Sequence, residues 1–182
     1  MRYIAILSSV FLFLLLFKSP LVAAVESNLS SIPTPVTLVE YGLPYPGILP
    51  DHPLYIFKVL RDKILIFFTR DPIRKVNLDL LFADKRLAMS QLLWEKENSD
   101  LSISTIIKAE KYLLSVSVGL SSLKKQNNLP PGLSDKAELA TKKHEEVITK
   151  LISNVSDDAK RQNLNQALGI NHQAMQQILL SK

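Results

Sequence analysis

Three histidines, His52, His144 and His172, are the side chains of this chain best suited to proton transfer or metal ligation, and no cysteine accompanies them. None stands in an H-E-x-x-H arrangement, and without thiolates the sulfur-rich zinc sites are closed. His144 and His172 fall on two helices expected to pair antiparallel. That pairing sets His172 opposite about Leu139, five residues from His144, or roughly 7 Å along the axis. A zinc site takes three or four protein ligands, and no third is placed beside them, so no metal site is expected. His144 reads instead as a histidine on a packing seam, with Asn171 as its polar companion on the facing seam. Such a pair sets register rather than activity.

The acidic pairs Glu145-Glu146 and Asp157-Asp158 are sequence neighbours, so on a helix they diverge by about 100° and cannot flank one scissile bond. They read as solvated or helix-terminal charges. There is no G-x-S-x-G elbow and no glycine-rich phosphate loop, and the chain holds only five glycines. Trp94 lies on an apolar seam and reads as core. No catalytic residue and no cofactor are expected, and the chain is read as a non-enzyme.

The positioning elements begin with an export signal. Tyr3 to Phe17 is almost continuously apolar behind Arg2, and Val22-Ala23-Ala24 offers small residues before a cut after Ala24. This largely apolar run of fifteen residues falls short of the ~20 that span a bilayer. A cleaved signal over residues 1–24 is the favoured reading; an uncleaved anchor at residues 3–17 would make the protein a membrane-tethered accessory subunit. Loss of Arg2 and Lys18 takes the 22 basic residues to 20 against 17 acidic ones, a net +3. That excess is spread along the chain, whereas a nucleic-acid binder concentrates it on one face. Residues 25–40 are polar and aperiodic and read as a disordered spacer.

From about residue 41 the pattern is all-α: two antiparallel helical hairpins preceded by a shorter helix and a proline-rich strap. The first helix is expected from Asp51 or His52 to Thr69-Arg70, with Leu54, Phe57, Leu60, Ile64 and Phe68 on its apolar face. The second, about Pro72 to Asn98, carries Ile73, Leu80, Leu87 and Trp94. The third, from a Ser102 cap to about Asn127, carries Ile106, Ala109, Leu113, Val116, Leu120 and Leu123. A turn at Asn98-Asp100 would face Leu87 with Leu113 and Leu80 with Leu120. The last two helices, capped by Ser134 and Ser156, place Ala137, Ala140, His144, Val147 and Leu151 against Leu164, Ala167, Asn171, Ala174 and Ile178.

Six of the ten prolines lie between Pro33 and Pro53, making the strap the one feature with an open functional reading. Either Leu43, Tyr45, Ile48 and Leu49 pack across the bundle, or Tyr41, Pro44, Tyr45, Pro46, Gly47, Leu49 and Pro50 form an exposed polyproline segment for a partner. The run Tyr45-Pro-Gly-Ile-Leu-Pro-Asp-His-Pro-Leu-Tyr-Ile-Phe-Lys-Val-Leu-Arg-Asp62 resembles the Y-P-G-x-L-P-x-x-P-L-Y-x-x-K-x-x-R-D signature of a bacterial family of exported helical proteins, a domain of unknown function. Asp71-Pro72, Ala83-Asp-Lys-Arg-Leu87 and Lys143-His-Glu-Glu-Val147 extend the resemblance. It implies export and a helical fold but no activity. The expected protein is a non-enzymatic extracytoplasmic helical module with a structural or protein-interaction role at the bacterial envelope, engaging an unknown protein partner. It touches membrane only through an uncleaved N-terminal segment. An extracytoplasmic sensor or metal-responsive hairpin built on His144 and His172 is the alternative.

Overall fold

The computed structural model describes residues 38–182; the segment read as a signal peptide and most of that read as a spacer lie outside them. Five helices follow in order: α1 (Tyr55–Phe68), α2 (Pro72–Glu95), α3 (Ser99–Lys125), α4 (Leu133–Asn154) and α5 (Asp158–Leu180). No strand occurs among the described residues. α2 with α3 and α4 with α5 form the two hairpins, and α3 is the hub, packing on α2, α5 and α4.

Local chemistry explains most boundaries. Asp71 caps α2 by accepting the Ile73 N–H at 3.0 Å, with Pro72 in the first turn. Asp157, not the expected Ser156, caps α5 through the Lys160 N–H at 3.0 Å. Ser102 and Ser134 are not caps either. α3 starts at Ser99, and the buried Ser102 hydroxyl donates to the Ser90 carbonyl at 2.7 Å. α4 starts at Leu133, and Ser134 meets Ser181 at 3.3 Å. In both cases the hydroxyl satisfies a neighbouring element instead of its own helix end.

The seams are buried as their periodicity requires. Leu80, Leu87, Ile106, Ala109, Leu113, Val116, Leu120, Ala137, Ala140, Leu164, Ala167, Ala174 and Ile178 are essentially free of solvent. The facing of α2 on α3, however, differs from the one expected. α2 ends at Glu95, and Glu97 takes a left-handed φ of 62°. The Asn98 N–H then returns to the Leu93 carbonyl at 2.9 Å. The chain therefore reverses around residue 97, three residues earlier than expected. Leu87 joins one core cluster with Ile103 and Ile106, whereas Leu80 shares another with Leu113, Val116 and Leu120. Leu87 thus meets Ile106, about two helical turns from the Leu113 expected to face it, whereas the Leu120 expected opposite Leu80 does lie in its cluster. In α4 and α5, by contrast, Asn171 donates to the Thr141 carbonyl at 3.1 Å, beside the Ala140 expected to face it.

α2 and α3 approach closely at Gly119, where an added β-carbon would collide with Val76 Cγ2. Val76 is buried and stiff at χ1. Gly119→Ala should therefore cost about 1–3 kcal/mol despite its better helix propensity. Urea unfolding checks this; a stabilised variant would mean the helices separate freely.

Candidate functional site

The centre of the bundle is ionic. His144, fully buried, stands between two carboxylates: Nδ1 lies 2.7 Å from Glu110 Oε1 and Nε2 lies 3.3 Å from Asp84 Oδ1. Ionised carboxylates only accept, so both ring nitrogens donate and the ring is an imidazolium. Burial alone pushes the imidazole pKa down. The charge of Glu110, hydrogen bonds donated to Asp84 and Glu110, and the charge of Asp84 outweigh it and raise the pKa from 6.5 to about 9. The histidine expected on the packing seam is there as a buried cation.

The remaining acceptors are also engaged. Asn171 Nδ2 donates to Glu110 Oε2 at 2.9 Å, and the Tyr41 hydroxyl donates to Asp84 Oδ2 at 2.7 Å. His144 and Asn171 thus meet through Glu110. Asn171 Oδ1 has no partner, yet turning the amide would set its oxygen against two acceptors, Glu110 and the Thr141 carbonyl. Burial, followed by the hydrogen bond and charge of Asp84, raises the Tyr41 phenol pKa, so it stays a donor.

This constellation has no open position. Neither imidazole nitrogen keeps a lone pair for a metal, and among the described residues no group of three or more His, Asp or Glu is arranged to hold one. His172 lies apart on the surface, 3.2 Å from Glu145. The arrangement can bind four elements together: the strap, α2, α3 and α4, with α5 attached through Asn171.

The sequence reading missed Glu110 and Asp84. A signal for both was present: Asp84 lies four residues after Leu80 and three before Leu87, and Glu110 lies four after Ile106 and three before Leu113. Both are therefore charges at seam spacing. Asp84 and His144 also come from two of the segments that carry the family resemblance.

The strap is anchored at intervals. Tyr41 packs on the core cluster of Leu80 and Leu113, and Leu43 on that of Leu87 and Ile106. The Val39 N–H, within the stretch read as spacer, donates to Glu146 Oε2 at 2.8 Å. Burial opposes that charge, but Lys143 and the Val39 N–H hold the Glu146 carboxyl below its usual range. Pro44, Leu49 and Pro50 are half-buried, whereas Tyr45 is 84% exposed and Ile48 is also outward. The expectation that Tyr45 and Ile48 cover the bundle is thus corrected. Pro44 and Pro46 favour a three-residue period, which breaks the alternation continued from Tyr41 and Leu43. Gly47, at φ 74°, turns the chain so that Lys58 Nζ reaches the Pro46 and Ile48 carbonyls at 2.7 and 3.3 Å.

That lysine ties α1 to the strap, and the orientation of α1 is the largest departure from expectation. Its half-buried or buried residues are Tyr55, Lys58, Val59, Asp62 and Ile66. The apolar face read from sequence points outward instead: Phe57 is 67% and Phe67 82% exposed, with Ile56, Leu60, Ile64 and Phe68 beside them. At about 100° per residue these six share one arc, with Arg61 on one flank and Lys63 on the other. The period was legible, but period does not say which way a face looks.

Residues 47–176 match the family described as Domain of unknown function (DUF5667). The chain belongs to this family. The DUF5667 match begins at Gly47, inside the proline-rich motif, and spans all of α1 to α4 and most of α5. No curated protein and no solved structure matches the chain. Within this DUF5667 chain the motif is self-bound: Lys58 holds the turn formed by Pro46-Gly47-Ile48, and Arg61 pairs with the buried Asp62 at 2.8 Å.

Proposed function

We propose that this chain is a non-enzymatic, exported bacterial module whose helical bundle serves as a scaffold, acting at the cell envelope by presenting a binding surface. The observation that carries this reading is the outward apolar arc of α1, held by strap and bundle from its other side. Burying such an arc is favourable at about 25 cal/mol per Å², and contiguous exposed apolar surface marks interaction sites. The chemistry of the core supports the same reading. Its histidine and carboxylates are withdrawn from solvent and spent on one another, so they hold the scaffold and have no access to a substrate.

The N-terminal apolar segment and small-residue cleavage pattern support export, and the family resemblance supports a bacterial envelope. A photoactivatable side chain in place of Phe67, in the full chain expressed in its native envelope, tests the reading. Discrete adducts with an envelope component are expected, and none from the same probe at the exposed Gln162 of α5. Equal labelling at both positions, or none at Phe67, would contradict it.

A further inference from the structure

Resting on that reading, the geometry points to an anionic lipid surface as the occupant of the α1 face, with the helix lying in the membrane plane. Three features converge. First, the arc of Ile56, Phe57, Leu60, Ile64, Phe67 and Phe68 is exposed along the whole helix, the layout of an interfacial helix. Second, its charges are one-sided. Arg61 and Lys63 border the arc on opposite flanks and are exposed, where long basic side chains can reach headgroups while their stems lie on apolar surface. The only acid of α1, Asp62, is buried under Arg61.

Third, a cationic cleft lies at each end. One, of about 470 Å³, sits between strap and helix and is lined by Tyr45, Phe57, Lys58, Arg61 and Lys85. The other, of about 250 Å³, lies past Phe68 and is lined by Arg70 and Arg74 with Asp71, whose carboxylate is engaged in capping α2. An apolar strip between two cationic clefts matches acyl chains between phosphate headgroups. It matches a second copy of the chain poorly, since a two-fold contact along α1 would bring the same basic flanks together. Inserted into lipid, α1 would orient the bundle with its core network away from the membrane, independently of any N-terminal anchor.

The chain has no cysteine, so Phe67→Cys in the full protein can carry a single polarity-sensitive fluorophore, with Gln162→Cys as the companion. Vesicles of phosphatidylglycerol and phosphatidylcholine in equal parts should shift the Phe67→Cys probe to the blue and leave the Gln162→Cys probe unmoved. Pure phosphatidylcholine, high salt, or added Phe57→Asp and Phe68→Asp should each weaken the response, the paired aspartates by at least about tenfold.

Several results would overturn the proposal. Protein that sediments with vesicles while the Phe67→Cys probe stays in water would leave residues 3–17 carrying the binding. A probe already blue before vesicles, at every protein concentration, would mean the chain's own N-terminal segment covers the face. A blue shift that grows with protein concentration would mean a second copy does. If lipid fails but Phe67 cross-links to an envelope protein, the interaction reading stands and only the lipid partner falls; if Phe67 responds to neither, both fall.

Discussion

Replacing His144 with leucine should destabilise the protein by about 3–5 kcal/mol, because it leaves Glu110 and Asp84 buried without their shared cation. Leucine is close in volume, so a cavity is not the cause. The cause is two carboxylates that lose the donors on facing oxygens while staying out of water. Had the histidine been neutral with a single polar neighbour, the same change would be nearly silent. The pH dependence separates the two cases. With a folded pKa near 9 against 6.5 for the free side chain, the contribution of His144 is complete below about pH 6.5. It is lost as the pH rises through 9.

Lys58 acts in the opposite direction. Burial lowers its pKa from 10.5 to about 8 against the raising influence of Asp62, so its penalty in the folded state fades above that pH. The expected result is therefore a difference: the stability gap between parent and His144→Leu narrows by a few kcal/mol from pH 6.5 to pH 10. A gap that stays constant would mean that the histidine carries no extra proton.

The second large effect is expected at Leu87, which is fully buried where the two hairpins meet. Leu87→Ala should cost about 2–5 kcal/mol through lost transfer energy and the cavity left behind. Its coupling tells the register of α2 on α3. A double-mutant cycle with Ile106→Val should show an interaction energy of at least about 0.5 kcal/mol, whereas the cycle with Leu113→Ala should be additive within about 0.5 kcal/mol. Strong coupling to Leu113 and none to Ile106 would restore the facing expected from sequence.

Particular residues show what was legible in the chain and what was not. The five helices and the seams of α2 to α5 were, because Leu80, Leu87, Leu113, Leu120, Leu164 and Ile178 repeat at helical spacing and burial follows spacing. The α2–α3 facing was not, because it depends on where the chain reverses, and Glu97 adopts a left-handed φ that nothing in its side chain announces. Ser102, Ser134 and Ser156 look like caps; Ser102 and Ser134 bond across to other elements, and Asp157 takes the last role.

The polar pair His144 and Asn171 was visible as two polar side chains on facing seams. The acids that join them were passed over, since Asp84 and Glu110 belong to no reactive motif and their meaning comes from lying at seam spacing. The outward direction of α1 goes with Lys58 reaching the strap and Met89 of α2 while Tyr55 and Asp62 turn from solvent, long-range facts that an amphipathic pattern does not contain.

The only buried histidine, His144, is a structural cation and not a free base waiting for a proton, a metal or a substrate. Imidazole nitrogen NMR of the full chain with labelled histidine observes this directly, with His144→Leu assigning the resonance. Both His144 nitrogens should stay protonated at pH 7.5 and give up a proton only near pH 9. A His144 ring that is singly protonated at pH 7.5, or that titrates near the free value of 6.5, would contradict it.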